Sequence, residues 1–291
     1  MKKLMALFAT GLMIVLLSTS CFTPQSGTSQ TPQPTTPQPV AKALYPEAVA
    51  TGVEYFKKQA AVQLSLTEKL LDALKGGDLA QAKEAYINAR PPYEEIEVYA
   101  LSFEQEDTDI DARPYAIDGG ETSPEFRSFH RVEALLFRDG DTKAAIPYTE
   151  GLVKTVKSLI QKLDEPANFN AALNFQGMLN LATEVPAKKI SSEEETWSDQ
   201  SLLIFKHNWI GIQSQFEPYK SKLSAELVAE VENAYQQCLN TVKPFFNSGK
   251  IAAKPYSTLS VEQRGAIVTA SYRYRDALSE ARKALKIPEP A

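Results

Sequence analysis

Apolar residues recur every three or four positions from Leu44 onward, and this spacing predicts helices throughout the region. The sequence there lacks the sustained period-two alternation that is typical of half-buried strands. The apolar stripes run through 49–74, 79–103, 152–163, 168–188, 198–218, 224–246 and 260–285. We therefore expect an all-α fold of two packed antiparallel helical bundles, over 44–165 and 166–287, with the boundary near 164–168.

Helix-terminating and helix-starting residues divide these stripes. A Gly-Gly pair at 76–77 should end the first helix, and Asp78 with Gln81 has the spacing of a capping box that opens the second. The Pro-Pro pair at 91–92 interrupts the apolar stripe and should kink or restart that helix, because proline lacks a backbone donor. The acidic segment 104–122 is expected to be a loop that leads to a short helix starting near Ser123. Ser260 with Gln263 should open the last helix.

The N-terminal region has a different pattern. Residues 1–20 combine two lysines, an apolar run over 4–17 and small residues, which is typical of a secretory signal peptide. The end of this segment resembles a bacterial lipobox, so we expect Cys21 to be lipidated; the alternative is an ordinary secreted protein. Residues 21–43, rich in Pro, Thr, Gln and Ser, should form a disordered tether. These features predict a membrane-anchored lipoprotein of the periplasm or cell surface.

Composition narrows the function classes. Hydrophobic residues make up 43% and charged residues 23%, which excludes a multi-span membrane protein and a wholly disordered chain. The net charge of −5 argues against nucleic acid as a partner. Two cysteines cannot form a disulfide framework and two histidines cannot form a His-rich metal centre. A metal site in this chain must therefore depend on carboxylates.

One histidine and one glutamate point inward together. On a helix over 126–138, His130 and Glu133 fall on the same arc as Phe129 and Leu136. An ionised carboxylate on an apolar face is costly unless it is paired or bound to a cation. The alternatives to a metal site are a buried hydrogen bond between His130 and Glu133, or a salt bridge from Glu133 to an arginine.

The second helix repeats this spacing. Glu94 and Glu97 border its apolar stripe, although a solvated acidic edge would show the same pattern. Inward carboxylates and histidine on neighbouring helices are how helical bundles bind metal ions. One histidine with several oxygens suits iron or zinc better than copper(I). The residues alone leave iron and zinc open.

Three other features favour structural roles. His207 is interpreted as a packed or capping histidine, and Cys238 as a buried thiol. The acidic run at 193–195 is interpreted as a solvated helix entry.

Several short segments together carry a resemblance to a known family. They are Ala-Arg-Pro-Pro-Tyr-Glu-Glu-Ile-Glu at 89–97, Asp-Ile-Asp-Ala-Arg at 109–113, Phe-His-Arg-Val-Glu at 129–133, Lys-Ile at 189–190 with the acidic run at 193–195, and Phe-Lys-His-Asn at 205–208. In order and spacing the set resembles the imelysin-like family, and within it the EfeO/EfeM branch of periplasmic iron-uptake components. The likeness spans about 45–287.

The resemblance implies a two-bundle helical fold with a metal site. His130 and Glu133 match its His-x-x-Glu pair, Glu94 and Glu97 match its acidic segment, and Asp111 is a further candidate. The sequence departs from the family at Ser201 and Ile204, where the family carries aspartates. Whether the second bundle contributes ligands stays open.

The function that the resemblance implies is capture and hand-over of iron by a non-enzymatic lipoprotein without a cupredoxin domain. The expected partners are the metal ion, a membrane reached through the lipid anchor, and an iron permease or other uptake components. One alternative is a metal-stabilised module that binds a polysaccharide or a protein. A metallopeptidase is disfavoured, because the sequence has no His-Glu-x-x-His motif and the segment after His130 lacks the adjacent histidine of the inverted motif.

Overall fold

A computed structural model describes residues 43–191 and 194–289, which belong to one compact unit. The α-helices of this part are α1 (Pro46–Gly76), α2 (Leu79–Ala89), α3 (Pro91–Ile96), α4 (Glu104–Asp111), α5 (Phe129–Glu133), α6 (Thr142–Lys162), α7 (Ala171–Ala187), α8 (Ser201–Phe216), α9 (Ala225–Val242) and α10 (Val261–Ala284). The only strand-like pairing among these residues is an isolated bridge between Phe246 and Ala253. The predicted all-α fold is confirmed for this part of the chain.

The predicted helix boundaries are confirmed where capping residues set them. Gly77 has a φ of 77° and closes α1, while the Asp78 carboxylate accepts hydrogen bonds from the first turn of α2. Ser260 and Gln263 form a full capping box at the start of α10. Between α2 and α3 the helix restarts at Pro91, leaving Arg90 at the junction.

The helices pack as two groups that meet at α3. Helix α1 lies against α2, α3 and α6, whereas α10 lies against α7 and α9. Helix α8 packs across α3, and Gly211 permits this close approach because a Cβ there would lie 2.5 Å from the carbonyl oxygen of Glu95. The assignment of the two groups to separate domains, 44–165 and 166–287, stays a prediction.

Two local predictions are wrong. The segment 104–122, expected to be a loop, begins with α4. The following helix starts at Phe129 rather than near Ser123, because the Ser128 side chain caps it by accepting a hydrogen bond from the His130 N–H. Residues Ala134–Arg138 then form a π-helical turn, a feature that is frequent at functional sites.

The N-terminal calls fall outside the described part of the chain. The signal peptide, Cys21 and the Pro-rich tether all precede residue 43. Within the part that is described, no helix combines the length and apolar character needed to cross a bilayer.

Candidate metal centre

Six carboxylates converge on the space between α3, α4, α5 and the segment that precedes α8. They are Glu94, Glu97, Asp111, Glu133, Glu194 and Glu195, each with a side chain no more than 9% exposed. Three permanent cations face them: Arg90, Arg113 and Lys189. Because burial makes unbalanced charge costly, this excess of acidic groups favours the binding of a further cation.

The first cluster consists of His130, Glu133 and Glu195. His130 Nδ1 lies 3.0 Å from Glu133 Oε2. Glu133 Oε1 accepts hydrogen bonds from the backbone N–H groups of Trp197 (2.8 Å) and Ser198 (2.7 Å). Each of the three residues offers a ligand atom within 4.8 Å of the others. This geometry suits a small cation held by one imidazole and two carboxylates.

The other nitrogen of the same histidine is the distinctive feature of this cluster. His130 is 1% exposed, and its Nε2 has no hydrogen-bond partner among the described residues; Asp111 Oδ1 lies 3.5 Å from it. Buried polar atoms are normally satisfied, so an unpartnered nitrogen among carboxylates points to a ligand. His130, Glu133 and Asp111 are thus brought together as the sequence predicted.

The second cluster consists of Glu94, Asp111 and Glu194, whose ligand atoms also lie within 4.8 Å of one another. Here the carboxylates already have cationic partners. Arg90 Nη2 lies 2.6 Å from Glu94 Oε1 and 2.7 Å from Asp111 Oδ1. Lys189 Nζ lies 2.9 Å from Glu194 Oε1. This cluster is therefore a salt-bridge network.

Glu97 lies in neither cluster. Its carboxylate accepts hydrogen bonds from Lys189 Nζ at 2.8 Å and from Asn208 Nδ2 at 2.8 Å. Asn208 also donates to Glu94 Oε2 at 3.0 Å. Glu94 and Glu97 are buried as predicted, which excludes the solvated acidic edge, but they hold Lys189 and Asn208 rather than His130.

The charges of the network shift the pKa values of its members. Burial lowers the pKa of His130, but the carboxylates of Asp111 and Glu133 on either side of the ring outweigh this effect and raise it to about 9. Burial, together with the charge of Glu133, raises the pKa of Glu195 to about 7. Burial also disfavours the charged form of Asp111, yet Arg113 and Arg90 hold its pKa well below its usual value. The metal-free centre thus keeps a proton on His130 at neutral pH.

Sequence reasoning missed part of this centre. The acidic run was expected to be solvated, and this is wrong for Glu194 and Glu195, which are 1% and 2% exposed. They are buried because cations from distant segments pair with them: Arg90 Nε lies 2.6 Å from Glu195, and Arg113 contacts Glu194. The sequence does contain one indication of this burial, because the motifs at 89–97, 109–113 and 189–190 each contain a basic residue that can pair with a buried glutamate.

The other histidine pairs with a carboxylate, and the cysteine is buried as predicted. His207 Nδ1 lies 2.6 Å from Oε1 of Glu95, an α3 residue that belongs to neither acidic cluster. Tyr55 donates to the other oxygen of the same carboxylate. Cys238 is fully buried, and burial raises the pKa of its thiol.

Comparison with known proteins shows the family of this chain. The family model Peptidase_M75, described as Imelysin, matches residues 45–283. The "Iron uptake system component EfeO" of Escherichia coli K12 is 33% identical over 204 residues, which cover 69% of this chain and 54% of the relative. EfeO of Escherichia coli O1:K1 is 35% identical over 174 residues, or 59% and 46% of the two chains. The chain thus spans about half the length of these relatives. On both findings it belongs to the imelysin family, in the EfeO-like branch that its motifs predicted.

Proposed function

We propose that this protein is a cell-envelope component of iron uptake that captures an iron ion and hands it on. The observation that carries the proposal is the unpartnered Nε2 of His130 within a buried excess of carboxylates. The EfeO relatives support iron as the ion, because they are named as iron-uptake components. Iron(II) and iron(III) both accept imidazole and carboxylate ligands, and zinc is the second candidate.

The proposed ligand set has an inner and an outer part. His130 binds the ion through one ring nitrogen, Glu133 and Glu195 are the proposed carboxylate ligands, and Asp111 is the further candidate donor on the Nε2 side of the ring. Glu94 and Glu97 act one shell further out, where they position Lys189 and set the charge around the ion.

The protein delivers its ion without chemical conversion, and its partners are an iron permease or other uptake components. The anchor proposed at Cys21 would keep it at the membrane, in the periplasm or on the cell surface. A peptidase is the less favoured alternative. A catalytic zinc requires an open coordination position and a general base, and Glu133 is poorly placed to be that base because its Oε1 is held by two backbone N–H groups.

Calorimetric titration tests the proposal. The wild-type protein should bind one ferrous, ferric or zinc ion, whereas Glu133→Gln should weaken binding at least about 100-fold, since it removes a charged ligand. Glu121→Gln is the matched control, because this glutamate pairs with Arg138 at the exposed surface. Absence of binding by the wild-type protein would refute the function. Chelator-sensitive hydrolysis of casein that is lost in His130→Ala would establish the peptidase instead.

A further inference from the structure

A cavity of about 590 Å³ opens beside the metal centre. Its charged lining consists of four acidic residues, Glu97, Asp107, Asp111 and Glu184, and two basic residues, Arg113 and Lys188, so acidic groups are in excess. Carboxylates that line a partly enclosed cleft attract cations and raise their local concentration. The cavity is therefore suited to be the entrance by which a metal ion approaches from solvent.

The inner wall of this cavity leads directly to the unpartnered histidine nitrogen. Asp111 has one oxygen, Oδ1, 3.5 Å from His130 Nε2, and the other, Oδ2, 3.2 Å from Arg113 Nη2. The same Nη2 contacts Glu194, which belongs to the second cluster. Arg113 thus occupies carboxylate oxygens that lie between the cavity and the metal centre.

Arg113 is held less firmly than the other two cations. Its side chain is 12% exposed, against 1% for Arg90 and 2% for Lys189. Among the described residues its ion-pair partners are the carboxylates of Asp111 and Glu194, and its Nε and Nη2 make no hydrogen bond of ordinary geometry there. Arg90, by contrast, donates short hydrogen bonds to Glu94, Asp111 and Glu195. Of the three cations, Arg113 is the one that can leave at the lowest cost.

We propose that Arg113 is an exchangeable internal cation: it neutralises Asp111 and Glu194 in the metal-free protein, moves into the cavity when a metal ion enters, and returns when the ion leaves. The inference rests on the proposed function and specifies how the same site is regulated. The metal ion and the guanidinium compete for the same carboxylate charge. Competition of this kind lowers the affinity of the protein for the metal ion. It also favours hand-over, because Arg113 pairs again with the carboxylates that the departing ion leaves.

Two substitutions of Arg113 test this inference against a surface control. Arg113→Met removes the competing charge and keeps an unbranched apolar stem, so its affinity for zinc should rise about tenfold. Release of zinc to a chelator in stopped-flow experiments should slow correspondingly. Arg113→Lys keeps the charge on a single ammonium and should fall between. Arg127→Met, which removes a 43% exposed arginine paired with Asp109 and Glu125, should match the wild type.

Melting temperatures provide a second measurement in case the metal-free Arg113→Met variant folds poorly. Arg113→Met should melt at a lower temperature without metal, and zinc should raise its melting temperature more than that of the wild type. Zinc binding by the wild type with unchanged or weaker affinity in both Arg113 variants would overturn the exchange and leave the proposed function intact. A wild type that binds neither zinc nor iron would overturn both.

Discussion

The two acidic clusters of the centre have nearly the same ligand chemistry and differ in how their charge is balanced. In the second cluster, Glu94, Asp111 and Glu194 face three permanent cations. In the first cluster, the one permanent cation in contact among the described residues is Arg90, which donates a hydrogen bond to Glu195 and none to Glu133. The rest of the balance in the first cluster comes from the proton on His130, whose pKa is raised to about 9.

This difference separates a cluster balanced by side-chain cations, of which Arg90 and Lys189 stay in place, from a cluster balanced in part by a proton that can be exchanged for a metal ion. A guanidinium or an ammonium is covalently attached and stays within reach, whereas a proton leaves freely. The first cluster therefore binds a metal ion by giving up a proton, and the second supplies the rigid frame and the competing charge.

The largest expected effect is the loss of stability when a cation of the second cluster is removed. Lys189→Met removes the ammonium that contacts Glu94, Glu97 and Glu194. Cutting one partner from a buried ion-pair network costs about 3–5 kcal/mol, so we expect a loss of that size in the free energy of unfolding. Urea denaturation measures it. Lys157→Met, which breaks an exposed pair with Glu68, is the control and should cost less than about 1 kcal/mol; equal losses would contradict the network.

Next in size is the contrast between two adjacent glutamates. Glu195 belongs to the first cluster and Glu194 to the second, and both are buried. Glu195→Gln should weaken metal binding about 100-fold, because it removes a charged ligand; Glu194→Gln should change it less than about tenfold. Titration calorimetry with zinc compares the two. A larger effect at Glu194 would place the ion in the other cluster.

Metal affinity should depend on pH, because the first cluster exchanges a proton for the metal ion. Since the pKa of His130 is raised to about 9, metal affinity should fall about tenfold per pH unit below that value, and more steeply below about 7, where Glu195 also takes up a proton. Calorimetry in buffers of different ionisation enthalpy should show about one proton released per ion at pH 8. Affinity that does not vary between pH 6 and 9 would refute proton exchange at His130.

The same proton predicts how stability depends on pH. A histidine whose folded pKa exceeds its unfolded value of about 6.5 stabilises the fold fully below pH 6.5, and this contribution is lost as pH rises toward 9. The metal-free protein should therefore melt at lower temperature at pH 9 than at pH 6.5. The metal-loaded protein, in which His130 would be a neutral imidazole in either condition, should lack this decline.

The smallest effect concerns the segment that holds Glu133. Arg138 lies over the ring of Trp197 at 5.3 Å, and the Trp197 backbone N–H binds Glu133. Trp197→Ala removes the ring contact and keeps the N–H group, so stability should fall by about 0.5–1 kcal/mol and metal affinity by less than about threefold. A larger loss of affinity would show that the ring itself positions the segment.

The sequence predicts the fold well where the signal is local. Apolar spacing and the capping residues at Asp78 and Ser260 identify helices whose ends the structure confirms. The pairs His130–Glu133 and Glu94–Glu97 are identified as inward because helical spacing gives their direction directly. Their partners cannot be inferred in this way, since they depend on which distant segments meet.

The acidic run shows this limit most clearly. Three successive glutamates outside any periodic pattern are typical of solvent exposure, and the burial of Glu194 and Glu195 follows only from contacts with Arg90, Arg113 and Lys189 across as many as 105 positions of the chain. The π-helical turn after Glu133 leaves no pattern in the residues either. Charge balance between remote segments was thus the missing information.

The most direct test of the central claim is the position of the ion itself. We predict that a crystal of the protein soaked with zinc or iron(II) shows one anomalous-scattering peak in the first cluster, about 2.0–2.2 Å from a ring nitrogen of His130 and from carboxylate oxygens of Glu133 and Glu195. A peak among Glu94, Asp111 and Glu194, with His130 still hydrogen-bonded to Glu133, would contradict the account, as would the absence of any bound ion.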